Sequence, residues 1–211
     1  MHDLVIFDCD GVLVDSETMS NQCLVDNLAR YGLELGLEDA LGFFVGGTMS
    51  GVMEKARELG AALPDDWLDE IYGEMYARLQ AGCPLVGGIP ELLDALDAKD
   101  VPFCVASNGH EAKMQITLGQ NGLWDRFSNR MFSAYVHGVA KPDPGLFRIA
   151  AGHFGAQTPV VIEDSRSGVT AAISAGMRCL AYAAHDNGDD LCALGAEVFH
   201  SMHEVPELLA L

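Results

Sequence analysis

Short apolar runs rich in β-branched and aromatic residues recur along the chain, each bounded by polar or turn-forming residues. They span residues 4–8, 101–107, 131–135, 159–164 and 179–183, with a short edge strand at 197–200. Between the later runs, residues 111–120, 144–153 and 167–175 carry apolar positions at helical spacing. Strand-length runs that alternate with helices indicate βαβ units around a parallel sheet. The pattern therefore predicts an α/β fold with a doubly wound parallel-sheet core.

The interval between the first two runs is several times longer than a single crossover helix needs. Its apolar spacing predicts helices at residues 16–31, 49–59 and 64–80, with turns at Gly32, Gly46 and Gly60. We therefore predict a small helical cap at residues 15–84, inserted into a core made of residues 1–14 and 85–211.

The charge of the chain narrows its possible partners. Its 31 acidic residues exceed its 12 Lys and Arg residues, for a formal net charge of -19. This balance disfavours nucleic acid and anionic membrane surfaces and suits a protein that holds a divalent cation. No apolar stretch reaches the roughly 18 residues of a membrane span, and six cysteines without CxxC spacing predict buried reduced thiols. We expect a monomeric, cytoplasmic protein with no nucleic-acid or membrane partner.

Polar residues that could take part in catalysis or ligand binding follow four of the predicted strands. In strand order they are Asp8 and Asp10, then Ser107 and Asn108, then Lys141, then Glu163 and Asp164. Ligands of an open parallel sheet bind at the carboxyl ends of its strands. The sequence therefore predicts that these side chains meet at one edge of the sheet.

The crowded carboxylates need positive partners, because like charges held together raise each other's pKa. Mg²⁺ prefers oxygen ligands, and Asp8 with Asp164 would supply two of them, while Lys141 would supply a second positive charge. A carboxylate nucleophile, a second acid, a hydroxyl, a lysine and a magnesium site are what phosphoryl transfer through an aspartyl-phosphate requires.

Four segments carry a resemblance to a known family. In order and spacing they resemble the motifs of the haloacid dehalogenase superfamily in its capped phosphatase branch. The segments are DCDGVLVDSE (8–17), ASNG (106–109), KPDP (141–144) and EDSRSGVTAAISAGM (163–177). The stretch ASNGHEAKMQ (106–115) is also similar to bacterial sugar-phosphate phosphatases of the 6-phosphogluconate type.

The resemblance implies roles for the residues of the first motif. Asp8 would attack phosphorus and become phosphorylated. Asp10 would protonate the leaving alcohol and then activate water, while its backbone carbonyl binds Mg²⁺. Gly11 would let the backbone approach the phosphate.

The later motifs would complete the site. Ser107 and Asn108 would hydrogen-bond the transferring phosphoryl group, and Lys141 would neutralise charge between that group and the nucleophile. Asp164 would bind Mg²⁺ with support from Glu163, which we count among the metal-binding residues. For the cap, we name Gly46, Met49 and Arg78 as candidate substrate contacts, the first two because caps of this kind touch substrate near a glycine turn.

The expected function is a Mg²⁺-dependent phosphatase of a small phosphorylated metabolite, such as a sugar phosphate or 6-phosphogluconate. A phosphosugar mutase of the beta-phosphoglucomutase type is the alternative, but Ser20 and Met49 stand where that pattern has His and Arg. A phosphoryl-accepting signalling module would use similar residues, but it needs no helical insertion. Asp10 disfavours a dehalogenase, since those enzymes generally lack an acid there.

Overall fold

The structure is a computed structural model that describes residues 2–44, 49–184 and 186–211. The chain forms two compact units. One consists of Met1–Asp15 with Pro84–Leu211, and the other is the inserted unit Ser16–Cys83. Each unit has its own buried apolar cluster.

A parallel sheet organises the first unit, as the sequence predicts. Its strands are β1 (Leu4–Phe7), β2 (Phe103–Ser107), β3 (Met131–Ser133), β4 (Pro159–Glu163), β5 (Arg178–Tyr182) and β6 (Glu197–Phe199). They lie in the order β3-β2-β1-β4-β5-β6, and every neighbouring pair is parallel. The predicted edge strand at 197–200 is observed as β6.

Helices build the inserted unit. They are α1 (Glu17–Arg30), α2 (Leu37–Phe44), α3 (Met49–Glu58) and α4 (Trp67–Ala81). Leu28, Trp67 and Ile71 are fully buried between them. The sequence predicts α1, α3 and α4 but misses α2, whose eight residues are too few for a clear helical period.

The helices of the first unit cover the sheet. They are α5 (Ile89–Ala98), α6 (Glu111–Gly119), α7 (Trp124–Phe127), α8 (Ala134–His137), α9 (Gly145–Phe154), α10 (Arg166–Ala175), α11 (Asp189–Cys192) and α12 (Val205–Leu209), with a 3-10 helix at Met202–Glu204. The longer helices match the predicted ones, whereas the single-turn helices leave no period to detect. Among the described residues, no helix combines the length and the apolar character that crossing a bilayer requires.

The position of β1 decides where chemistry can occur. It lies between β2 and β4, at the point where the strand order reverses. Loops leave this point in opposite directions and open a crevice at the carboxyl edge. All four residues of β1 are fully buried, because a central parallel strand has both faces covered. The backbone N–H of Asp8, just after β1, donates to the Ile162 carbonyl at 2.9 Å, which fixes the start of the loop.

The chain leaves the first unit and returns to it through paired backbone. Val14 forms an antiparallel bridge with Leu85, and the Asp15 N–H donates to the Pro84 carbonyl at 2.9 Å. The Val86 N–H donates to the Leu13 carbonyl at 3.1 Å. These bonds close the ends of the insertion on one another.

Candidate active site

Lys141 bridges two acids at the carboxyl edge of the sheet. Its Nζ donates to Asp8 Oδ1 and to Glu163 Oε1, each at 2.5 Å. Lys141, Asp8 and Glu163 are only 6%, 8% and 0% exposed to solvent, respectively. A buried ammonium or carboxylate is costly unless it is paired and hydrogen-bonded, which this arrangement provides. Residues far apart in the sequence are thus brought together as the strand-end pattern predicts.

Glu163 is hydrogen-bonded through both of its carboxylate oxygens. Oε1 accepts from Lys141, and Oε2 accepts from the backbone N–H groups of Asp164 and Ser165 at 3.0 and 3.1 Å and from the Ser165 hydroxyl at 3.0 Å. These contacts are those of a residue that orients Lys141 and the start of α10. They agree with the supporting role expected of Glu163 more closely than with direct metal ligation.

The carboxylates form a candidate cation site. Oxygens of Asp8, Glu163 and Asp164 lie within 4.8 Å of one another. Burial raises the pKa of Asp8 to about 7, with Glu163 and Asp10 adding to the rise and Lys141 opposing it. Burial disfavours the Lys141 ammonium, but the two adjacent carboxylates outweigh this effect and raise its pKa. An all-oxygen donor set with excess negative charge fits a hard divalent cation such as Mg²⁺.

Ser107 ends β2 beside this cluster. It is 2% exposed, and its Oγ accepts a hydrogen bond from the Gly109 N–H at 3.0 Å. Ser133, which the sequence analysis did not single out, donates from Oγ to the Gly109 carbonyl at 2.7 Å. The turn after β2 is therefore fixed from both sides, and the Ser107 hydroxyl, which accepts in the turn, has its own proton to donate.

Asn108 has contacts that differ from the predicted phosphoryl contact. Its Nδ2 donates to the Lys141 carbonyl at 3.1 Å, and its Oδ1 accepts from the Lys141 backbone N–H at 2.8 Å. Both ends of the side-chain amide are therefore occupied in holding the segment that carries the lysine. The Asn108 side chain therefore fixes the position of the Lys141 backbone.

A second lysine, Lys113 in α6, approaches the other acid of the first motif. Its Nζ lies 2.7 Å from Asp10 Oδ1, and the two side chains are 22% and 26% exposed. Burial disfavours the Lys113 ammonium, but Asp10 outweighs this effect and raises its pKa. Lys113 lies within the stretch 106–115, but no role was predicted for it from the sequence. A lysine on the helix that follows a motif strand was the available signal.

Two glycines make room for the acids. Gly11 has φ +79°, and a Cβ there would lie 1.8 Å from Asp164 Oδ2, so its backbone conformation and its neighbour both require glycine. A Cβ on Gly168 would lie 1.8 Å from the carboxylate of Glu163. Gly11 was predicted for its approach to phosphate. Gly168 was not predicted, because its neighbour is visible only in three dimensions.

The candidate contacts of the inserted unit stay predictions. Gly46 lies outside the described residues. Met49 begins α3 and packs against the apolar cluster of its own unit. Arg78 donates from Nη2 to Asp26 Oδ2 at 2.6 Å, so its guanidinium already has an acidic partner within the unit.

Comparison with known proteins supports the reading of these motifs. The family model of haloacid dehalogenase-like hydrolases matches residues 2–176. The 6-phosphogluconate phosphatase of Escherichia coli (strain K12) is 30% identical over 208 residues, which cover 97% of this chain and 93% of that protein.

Two solved structures are similar to this chain over almost its whole length. A conserved haloacid dehalogenase-like protein of unknown function from Agrobacterium tumefaciens str. C58 is 30% identical with a TM-score of 0.89, covering 100% of this chain and 98% of that one. A HAD family hydrolase from Deinococcus radiodurans R1, with bound phosphate and sodium, is 33% identical with a TM-score of 0.86, covering 99% and 95%. The chain therefore belongs to the haloacid dehalogenase-like hydrolases, in the phosphatase branch that its relatives represent.

Proposed function

We propose that the protein is a Mg²⁺-dependent phosphatase of a small phosphorylated metabolite and that it acts through an aspartyl-phosphate at Asp8. The observation that carries the proposal is the bridge from Lys141 to Asp8 and Glu163, with Asp164 beside it at the switch point of the sheet. A nucleophilic carboxylate held by an ammonium at this edge suits attack on a phosphoryl group.

The reaction then has two steps. An oxygen of Asp8 forms a bond to phosphorus as the bond from phosphorus to the ester oxygen breaks, and Asp10 gives its proton to the departing alkoxide. In the second step Asp10 takes a proton from water, whose oxygen bonds to phosphorus as the Asp8 oxygen departs. Phosphate leaves and both acids return to their starting states. Lys141 and the Ser107 hydroxyl would stabilise the charge on the phosphoryl oxygens.

The residues present fit a magnesium ion. Carboxylate oxygens of Asp8, Glu163 and Asp164 lie within 4.8 Å of one another beside the single ammonium group of Lys141, which leaves negative charge for a cation to offset. The carboxylates of Asp8 and Asp164 and the backbone carbonyl of Asp10 would hold the cation. When bound, it would neutralise part of the phosphoryl charge.

The proposed substrates are sugar phosphates and sugar-acid phosphates such as 6-phosphogluconate. The 30% identity to a 6-phosphogluconate phosphatase over nearly the whole chain supports this class, and the phosphate in the Deinococcus radiodurans relative supports a phosphate site.

A panel of phosphorylated metabolites, ranked by kcat/KM with Mg²⁺ and after chelation, tests the proposal. We expect release of inorganic phosphate from several sugar phosphates and its loss on chelation. Hydrolysis that survives exhaustive chelation, or no hydrolysis of any member, would contradict it. A separate arm supplies beta-glucose 1-phosphate with a bisphosphate primer. Isomerisation that far outpaces phosphate release would identify a mutase instead.

A further inference from the structure

Lys113 is a charged residue at the site that the proposed reaction steps leave unused. It lies in the first turn of α6, directly after the turn formed by Ser107, Asn108 and Gly109. Its ammonium is 2.7 Å from Asp10 Oδ1, within charge-assisted hydrogen-bonding distance. Lys141 is occupied by Asp8 and Glu163, so the two lysines are divided between the two acids of the first motif.

The other oxygen of Asp10 faces the turn after β2. The point that a Cβ on Gly109 would occupy is 3.5 Å from Asp10 Oδ2 and 3.3 Å from Ser107 Oγ. The same point is 3.9 Å from Cδ of Lys113, so lysine stem, glycine and acid are close neighbours. The lysine on Oδ1 and the glycine turn beside Oδ2 together define how the Asp10 carboxylate is rotated.

This orientation matters because Asp10 lies close enough to Asp8 for the two carboxylates to interact. Repulsion from Asp8 would favour rotamers that turn Asp10 away from it. A general acid must lie within hydrogen-bond distance of the atom that it protonates. An error of about 1 Å in such placement can cost on the order of 100-fold in rate.

We propose that Lys113 is a positioning residue that holds Asp10 in the orientation needed to protonate the leaving-group oxygen. The inference rests on the proposed phosphatase function. Lys113 acts through Asp10, so in the first step it affects only reactions whose leaving group needs a proton. Attack by Asp8 on an ester whose leaving group departs unprotonated does not depend on it.

Leaving-group dependence tests the inference. Lys113→Met and Lys113→Arg are compared with wild type on the best sugar phosphate from the panel and on p-nitrophenyl phosphate, whose aryl oxide departs unprotonated. We expect Lys113→Met to lose about 10- to 100-fold in kcat/KM, which reports the step that forms the phosphoenzyme, on the sugar phosphate and less than about 3-fold in kcat/KM on the aryl phosphate. Lys113→Arg, which keeps the charge, should recover part of the loss. The matched control is Lys99→Met, an exposed lysine of the same unit, which should match wild type on both substrates.

A double-mutant cycle supplies the second readout. If Lys113 acts through Asp10, Asp10→Asn and Asp10→Asn/Lys113→Met should hydrolyse the sugar phosphate at rates within about 3-fold of each other. Losses that multiply, or an equal loss on both substrates in Lys113→Met, would overturn the inference while the phosphatase function stands. A wild-type protein that hydrolyses neither substrate would overturn both. Retained aryl phosphatase activity shows that each variant is folded.

Discussion

Each unit of the molecule contains a buried polar network, and the two networks differ in whether their charged groups reach solvent. In the inserted unit, the fully buried Asn27 accepts from Trp67 Nε1 at 2.7 Å and donates to Glu70 Oε1 at 3.1 Å and to Glu74 Oε2 at 3.3 Å. Arg30 pairs with both glutamates at the exposed side. In the first unit, Lys141 joins Asp8 and Glu163 with almost no exposure.

The difference lies in where excess charge is placed. The side chains of Glu70 and Glu74 are 34% and 31% exposed, so water solvates the charge of that network and Asn27 contributes a neutral, fully used hydrogen-bonding centre. In the first unit Asp8 and Glu163 are both buried and share one ammonium group, so the excess negative charge of this trio lies where solvation is poor. The network around Asn27 joins α1 to α4. The network around Lys141 carries excess negative charge and is suited to receive a cation and a phosphoryl group.

The largest effect is expected at Asp8, the proposed nucleophile. Asp8→Asn keeps the shape of the side chain but removes the proposed attacking oxygen and a proposed cation ligand together, so we expect kcat to fall by about four orders of magnitude or more. Steady-state release of phosphate measures the loss, and circular dichroism checks that the variant is folded. Activity in Asp8→Asn within about 10-fold of wild type would contradict the assignment of the nucleophile.

The next largest effect on kcat is expected at Gly168, which lies against the Glu163 carboxylate. Gly168→Ala places a Cβ against the Glu163 carboxylate, which four hydrogen bonds hold in place, so the carboxylate and Lys141 must shift. We expect kcat to fall by about 100-fold.

The matched control for Gly168→Ala is Gly152→Ala, at a glycine of α9 with no atom within 4 Å of its added Cβ. This variant should keep wild-type activity and unfold at the same temperature or slightly higher. Equal activity of the two variants would show that Glu163 adapts and that its position is not critical.

The network of the inserted unit should respond in stability and much less in chemistry. Asn27→Leu leaves the buried Trp67 N–H without its acceptor, and we expect a loss of about 2 to 3 kcal/mol in the free energy of unfolding of this unit. Trp67 and Trp124 lie one in each unit, so a Trp124→Phe background lets fluorescence in urea report on the inserted unit alone.

Gln22→Leu, at an exposed position on the same helix, is the control and should cost less than about 0.5 kcal/mol. An unchanged urea midpoint in Asn27→Leu would mean that the Asn27 network does not stabilise the unit. A loss of aryl phosphatase activity as large as that of Gly168→Ala would remove the distinction between the two networks.

The smallest expected effect concerns substrate choice. If Arg78 contacts substrate, Arg78→Met should change the kcat/KM ratio between a sugar-acid phosphate and a neutral hexose phosphate by about 3- to 10-fold. Asp26→Asn removes the ion pair but keeps the guanidinium, so it should leave that ratio unchanged. An identical ratio in wild type and Arg78→Met would exclude Arg78 as a determinant of specificity.

Much of the core could be predicted from the sequence because parallel strands place their ends together. Apolar runs marked the strands, and the residues that followed them, from Asp8 to Asp164, were candidates for one edge. Regular helices longer than two turns were also accessible. The short helices and α2 were not, since one or two turns give no measurable period.

Contacts across the sheet could not be predicted in the same way. Ser133, Lys113 and Gly168 act on atoms of other segments, and nothing in their local sequence names the partner. The side-chain contacts of Asn108 could not be predicted for the same reason: its amide bonds to the Lys141 backbone, and its contact with the phosphoryl group stays a prediction. Motifs thus indicate which residues gather, but hydrogen-bond partners decide what each one does.

The paired backbone at the ends of the insertion has a consequence for how such enzymes diversify. Because Leu13, Val14 and Asp15 bond to residues 84–86, the sheet-bearing unit itself holds the two ends of the inserted segment together. The entropic cost of closing a loop grows slowly with its length, by about 0.6 kcal/mol for each doubling. Segments of other lengths and sequences can therefore be grafted between the same two anchor points at little cost to folding. Evolution can thus exchange the inserted unit while the residues at the carboxyl edge of the sheet are inherited unchanged.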